Sequence, residues 1–267
     1  MSSPADPLPA FTLLIPARHA ASRLPGKPLR LLGGEPLVRH VVRAALAMQA
    51  QRVALAVDDA RIAAAVADLP VRVLMTRADH ASGSDRLAEC VEQLALDDAA
   101  IVVNLQGDEP FVPSAAVHAV VRALAAGNAP MATLAVPIED AAQWFDPNVV
   151  KVVCDRAGRA LYFSRAPLPW ARDALAQGRD AVPPGLPLLR HIGLYAYRAG
   201  FLRAYTRLSP TPLELAEALE QLRALEHGHA IAVAVHADAF PPGIDTEDDL
   251  ARAEVHLAAL RAAPAAR

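Results

Sequence analysis

The first half of the chain alternates short β-branched runs with longer amphipathic stretches, and few folds accommodate that pattern. FTLLI (11–15), VALAV (53–57), VRVLM (71–75), IVVNL (101–105) and MATLAV (131–136) read as buried strands. Residues 36–49, 60–68, 84–96 and 114–126 between them read as helices. Ser82 or Ser84 suits the cap of the third, and Pro113-Ser114 opens the fourth. Alternation of this kind builds a mostly parallel sheet with helices on both faces. Crossovers in such sheets are right-handed, and ligands bind beyond the carboxyl ends of the strands.

The later part changes character. VVKVVCD (149–155) and ALYFSR (160–165), joined at Arg156–Gly158, read as a hairpin. Residues 166–189 hold five prolines and read as an irregular excursion. HIGLYAYR (191–198) is another strand, with His191, Gly193, Tyr195 and Tyr197 on one face. A helix at 213–227 follows, then the strand IAVAV (231–235). Thr246 and Asp249 form a capping-box pattern for a last helix ending near 262. The expectation is an α/β chain with a Rossmann-like core and an inserted, mostly antiparallel lobe. Its parts are a nucleotide-binding core over 11–145, a lobe over 146–212, and a return to the core over 213–262, integrated as one domain.

Composition removes several classes of function. A net charge of −3 argues against nucleic-acid binding, since neutralising several phosphates calls for a basic domain. No run approaches the 18 uncharged apolar residues of a membrane span. The opening MSSPADPLP lacks the basic and apolar parts of a signal peptide and reads as a frayed tail. Cys90 and Cys154 make no disulfide framework and suit reduced, buried thiols in a cytoplasmic protein. The chain has 24 arginines and only two lysines, Lys27 and Lys151. A lysine kept against that bias marks a place where a compact ammonium fits and a planar fork does not.

Three strand-end segments converge on one edge of the expected sheet: PARHAASRLPGKP (16–28), TRADHASGSDR (76–86) and QGDEP (106–110). The first carries Arg18, Arg23 and Lys27, a cationic loop for a polyphosphate, but it lacks the second glycine and the Ser/Thr after lysine of a P-loop. Asp108 directly follows a strand that Pro110 terminates, and a carboxylate there suits a hard divalent cation. Asp245, just before Thr246, reads by itself as a helix-start acid favoured by the dipole.

Taken in order, "PARHAASRLPGKP", "MTRADHASGSDRLAE", "VNLQGDEPF", "NVVKVV", "LYFSRAPLPW", "RHIGLYAYR", "AEALEQLR" and "PGIDTEDDL" resemble the 3-deoxy-manno-octulosonate cytidylyltransferases, from about Phe11 to Glu254. The opening loop is shared by several sugar nucleotidyltransferases; "SGSDR", "YFSRAP" and "RHIGLYAYR" are more specific. The resemblance implies a nucleotidyltransferase that joins CTP to the sugar acid KDO with Mg2+, acting as a cytoplasmic homodimer that assembles through the lobe. It further implies that Arg18, Arg23 and Lys27 hold the triphosphate and that the main chain at Pro16 and Ala17 approaches the base. Thr76, Ser82, Gly83, Arg86 and Gln106 would complete the nucleotide site, and Asp108 and Asp245 would hold the metal.

For the sugar acid it implies Arg165 as a carboxylate anchor, whose planar fork suits a bidentate grip. His191, Tyr195, Glu220, Gln221 and Gln106 would contact hydroxyls. Lys151 matches a family position without a role that the residues assign. His19 stands where an aromatic is common, SGSD replaces SGTD, and 174–189 matches nothing. Two alternatives stay open: a cytidylyltransferase for another sugar acid, such as a sialic acid or amino-KDO, and a non-catalytic nucleotide-sensing protein. The second would be expected to lack one of Lys27, Asp108 and Asp245. No D-x-D after a strand supports a glycosyltransferase.

Overall fold

The structure, a computed structural model, describes residues 7–20, 24–80, 82–237, 240 and 242–262. Arg23 and most of the expected N-terminal tail lie outside the described residues. The chain forms two compact units, one of Ala10–Ser114 with Phe240–Arg267, the other chiefly of Ala115–Ala239.

The first unit contains β1 (Phe11–Ala17), a small antiparallel pair β2 (Leu31–Leu32) and β3 (Glu35–Pro36), and α1 (Leu37–Leu46). There follow β4 (Arg52–Val57), α2 (Ala60–Ala64), β5 (Arg72–Met75), α3 (Gly83–Gln93) and β6 (Ile101–Asn104). The larger strands lie in the order β6-β1-β4-β5, every pair parallel. Leu13, Leu14 and Ile15 are all fully buried although successive side chains point to opposite faces, so both faces of β1 are covered. Helices α1 and α3 both pack on it. The expected helix 60–68 closes early at Ala64, and turns carry the chain to β5.

The second unit contains α4 (Ser114–Ala125), β7 (Met131–Pro137), α5 (Ala141–Phe145), β8 (Lys151–Cys154) and β9 (Ala160–Ser164). After α6 (Arg172–Leu175), a short helix in the proline-rich excursion, come β10 (Leu189–Arg198), α7 (Ala199–Tyr205), α8 (Pro212–Glu217), α9 (Gln221–Glu226) and β11 (Ile231–Val235). β7 pairs antiparallel with β10 and parallel with β11; β8 pairs antiparallel with β10 and β9. These pairings draw β7 into the second unit, so the expected boundary near residue 145 falls instead near Ser114.

One expected element divides. The helix over 213–227 is two helices, because Ala218 takes a left-handed conformation (φ 49°) that ends α8. The freed carbonyls at that break are used, as described below. Past Ala239 the chain returns to the first unit with α10 (Glu247–Ala262). Its capping box is present: the Thr246 amide donates to Asp249 Oδ2 at 2.8 Å, and the Asp249 amide donates to Thr246 Oγ1 at 3.2 Å. Among the described residues no helix is long and apolar enough to cross a membrane.

Candidate active site

In the opening loop, Gly26 is left-handed (φ 64°, ψ 24°) and caps a 3₁₀ turn over Lys27–Leu29. Pro28 in that turn is buried, which holds the backbone while Lys27 projects away. The Lys27 ammonium lies 2.5 Å from Asp108 Oδ2 and 2.8 Å from Asp245 Oδ1. One cation thus bridges the two carboxylates for which the resemblance implies a metal-binding role.

A small core accounts for the meeting. Leu24, Leu32, Leu37, Ile244, Leu250 and Ala253 form one buried cluster, with Phe111 and Leu257 packed on it. Leu24, Phe111 and Ile244 each lie within three residues of Lys27, Asp108 and Asp245 respectively. The Ile244 amide donates to the Asp108 carbonyl at 2.9 Å, which fastens the start of the last helix to the aspartate loop. Burial pulls the Lys27 ammonium down, but the charges and hydrogen bonds of Asp108 and Asp245 more than offset this and leave its pKa raised. Next to this pair, Glu109 was not singled out by sequence reasoning. Burial, with Asp108 and Asp245 adding and Lys27 opposing, pushes its carboxyl up to about 8.

Gly107 is a second residue that pattern reading missed. A Cβ there would stand 2.5 Å from the Pro16 carbonyl oxygen, so the aspartate loop and the opening loop touch through bare backbone. Gly107→Ala is therefore expected to force the two loops apart. Overpacking of this kind costs about 1–3 kcal/mol. The thermal midpoint should fall by several degrees, and kcat/KM for the nucleotide by at least about tenfold. A variant with unchanged midpoint and kinetics would show that the backbone yields.

The third loop is ordered by its own polar groups. Ser82 caps α3: its Oγ accepts from the Asp85 amide at 3.2 Å, while its own amide donates to Asp85 Oδ2 at 3.1 Å. A Cβ on Gly83 would meet open space. Arg86, expected to contact the nucleotide, turns inward and is 2% exposed. It donates to Thr76 Oγ1 at 2.5 Å and to Asp58 Oδ2 at 3.0 Å. Thr76 in turn donates to the Val57 carbonyl at 3.1 Å. The other oxygen of Asp58 accepts from the His19 amide at 2.9 Å, so the Arg86–Asp58 pair supports the opening loop from beneath. Leaving one charge of such a buried pair alone costs about 3–5 kcal/mol. Arg18, by contrast, is exposed, with no side-chain partner among the described residues.

In the second unit, Arg165 follows β9 directly. Its Nε donates to the Glu217 carbonyl at 2.7 Å and its Nη1 to the Pro147 carbonyl at 3.0 Å; its Nη2 lies 3.5 Å from the Ala218 carbonyl. The break between α8 and α9 supplies two of those acceptors. Glu217 also binds the Arg165 amide at 2.9 Å and Ser164 Oγ at 2.5 Å. Of the five guanidinium N–H groups, two remain uncommitted, enough for a carboxylate.

His191 and Tyr195 share one face of β10, with ring centroids 5.5 Å apart, and Phe163 packs edge-on to His191 at 4.9 Å. Two residues, Gly193 and Leu194, are extra opposite β7, and Thr133 Oγ1 reaches the Ile192 and Leu194 carbonyls at 3.1 Å each. With its proton so directed, Thr133 accepts from His191 Nε2 at 2.9 Å, which leaves Nδ1 as an acceptor. Burial pushes the His191 imidazole down to about 3, so it is neutral near pH 7. Burial likewise keeps the Tyr195 hydroxyl protonated, with Tyr197, Tyr205 and Glu220 adding. Glu220 precedes α9, and its carbonyl accepts from Tyr205 Oη at 2.6 Å. Gln221 is buried, and its Nε2 has no partner among the described residues. Gln106 sits in the first unit, in the turn that its carbonyl closes with the Glu109 amide at 3.2 Å.

A parallel α/β sheet with Lys27 in the loop after its first strand, Asp108 in the loop after β6 and Asp245 before the last helix has the layout of a nucleotide-binding site. A sequence-family model described as Cytidylyltransferase matches residues 12–231. The 3-deoxy-manno-octulosonate cytidylyltransferase of Stenotrophomonas maltophilia (strain R551-3) is 58% identical over 94% of this chain and 98% of its own length. Its counterpart in Xanthomonas campestris pv. campestris (strain B100) is 56% identical over 95% of this chain and 90% of its own. Among solved structures, CMP:2-keto-3-deoxy-manno-octonic acid synthetase in complex with CTP superposes with a TM-score of 0.85. It is 38% identical and covers 94% of this chain and 100% of that one. A 4-diphosphocytidyl-2C-methyl-D-erythritol synthase, 16% identical with a TM-score of 0.61 over 93% of this chain and 100% of that one, shares the fold. The chain belongs to the cytidylyltransferase family, and within it to the 3-deoxy-manno-octulosonate cytidylyltransferases.

Proposed function

We propose that the chain transfers CMP from CTP to 3-deoxy-D-manno-octulosonate (KDO), releasing pyrophosphate and giving the CMP-sugar used in lipopolysaccharide assembly. The observation that carries the reading is the Lys27 ammonium held between Asp108 and Asp245, on a chain 58% identical to a relative of that activity. The anomeric hydroxyl of the sugar attacks the α-phosphorus of CTP; the bond to the β-phosphate oxygen breaks, and pyrophosphate leaves with its electron pair. Such a transfer depends on positioning and on offsetting charge that moves onto the leaving group. Arg18, Arg23 and Lys27 supply that charge, each cation–phosphate pair being worth several kcal/mol at about 4 Å near a surface, before desolvation.

Asp108 and Asp245 would hold a magnesium ion. The donor set fits: two hard carboxylate oxygens lie within reach of one point. Among the described residues no group of three or more His, Cys, Asp or Glu could hold a metal, and magnesium characteristically draws its remaining oxygens from phosphates and water. When bound, the ion offsets charge on the triphosphate. Lys27 would then turn from the carboxylates toward the phosphates. Ser82, Gly83, Thr76 and the main chain at Pro16 and Ala17 frame the base, with Arg86 supporting them from below. Arg165 holds the sugar carboxylate, while His191 Nδ1, Tyr195, Glu220, Gln221 and Gln106 take hydroxyls. The homodimer and the cytoplasmic location carry over from the family in the same way.

Pyrophosphate release with CTP, magnesium and a panel of sugar acids tests this, with ATP, GTP and UTP as controls. Turnover is expected with CTP and KDO and at least about a hundredfold less with the other nucleotides. Faster turnover with a sialic acid or amino-KDO would reassign the substrate, and no turnover with any sugar acid would favour a nucleotide sensor.

A further inference from the structure

Lys151, the other lysine, lies on β8 with no exposed surface at all. A buried ammonium is costly unless all three of its protons are satisfied. Here all three go to main-chain carbonyls: Asp146 at 2.8 Å, Val149 at 2.5 Å and Arg165 at 2.8 Å. None is a carboxylate, so charge pairing in direct contact does not explain the residue. What the position demands is three converging donors, since an apolar side chain there would take a partner from each of the three carbonyls.

The three acceptors belong to two segments that meet around one side chain. Residues 146–149 lead into β8, and Arg165 leaves β9, which pairs with β8 in a register that sets Lys151 opposite Ser164. Pro147, within the first segment, supplies the carbonyl that accepts from Arg165 Nη1. Lys151 therefore fixes both the backbone from which Arg165 springs and one of the acceptors that aim its guanidinium. An arginine at this place could not do the same, because its planar fork cannot point three donors at a pyramidal set of carbonyls.

We propose that Lys151 is a positioning residue for the sugar-acid subsite, setting the direction of the Arg165 guanidinium through the carbonyls of 146–149 and of Arg165 itself. This rests on the reading of Arg165 as the anchor of the substrate carboxylate. Steady-state kinetics on Lys151→Met, Arg165→Ala and the double variant test it. Lys151→Met is expected to raise KM for KDO at least about tenfold while KM for CTP stays within about twofold. Arg165→Ala is expected to raise KM for KDO further, and adding Lys151→Met to it should change little, because the group being aimed has gone. A rise with Arg165→Ala but none with Lys151→Met overturns the inference and leaves the anchor standing. No rise with either overturns the anchor as well. Lys151→Gln, which keeps two donors, replaces the methionine variant if the latter does not fold. Loss of affinity for both substrates together, or no folded protein from either variant, would mean that Lys151 serves the fold alone, against the proposal.

Discussion

Lys27→Ala is expected to lower the turnover number at least about a hundredfold, with a smaller change in the apparent affinity for CTP. That loss corresponds to about 2.7 kcal/mol of transition-state stabilisation. An interaction made mainly as charge moves onto the leaving pyrophosphate lowers kcat when removed, whereas uniform binding would raise KM alone. The free protein adds a second readout. Lys27 occupies the space between Asp108 and Asp245, 2.5 and 2.8 Å from their oxygens, so it competes with any other cation for them. Without its ammonium the two carboxylates repel, and magnesium binding in the absence of nucleotide should tighten. Near-normal turnover would remove Lys27 from the chemistry; lower turnover with weaker magnesium binding would make its role that of holding the carboxylates in place.

Asp108→Asn carries the second large effect. The substitution keeps the shape and one oxygen but removes the charge, and isothermal titration of CTP with magnesium should lose its metal-dependent component. Binding of CTP without metal should persist, since the cationic loop and the main chain near Pro16 are untouched. The change also leaves Lys27 with Asp245 as its one remaining carboxylate partner, 2.8 Å away. Metal-dependent binding equal to the parent's would refute the ligand assignment.

Much of this was legible because it is local. Thr246 and Asp249 announce a helix start, and Asp108 stands out by following a strand that a proline ends. The buried strands are continuous apolar runs, and their bounds shift by only a residue or two. What the chain does not display is partnership across distance. Nothing about Asp58 in AVDD says that it joins His19 to Arg86. Arg86 reads as a nucleotide contact until its partner is known. The break at Ala218 is hidden for the same reason: alanine favours helix, and the left-handed turn is held by Arg165, which captures the Glu217 carbonyl from outside the helix. Gly107 could have been suspected, since a glycine beside a strand end marks close backbone approach, but only the fold names Pro16 as the neighbour.

The last helix has a consequence for how the protein comes into being. The unit that holds Lys27 and Asp108 is completed by residues beyond Ala239, and the second unit is synthesised in between. While the ribosome is still making that second unit, Lys27 has Asp108 but not Asp245, and the cluster around Leu24 and Leu37 lacks Ile244, Leu250 and Ala253. The nascent chain therefore carries an open apolar face, the kind of surface that chaperones cover. The final segment, on docking, brings Asp245 to Lys27 and closes that face.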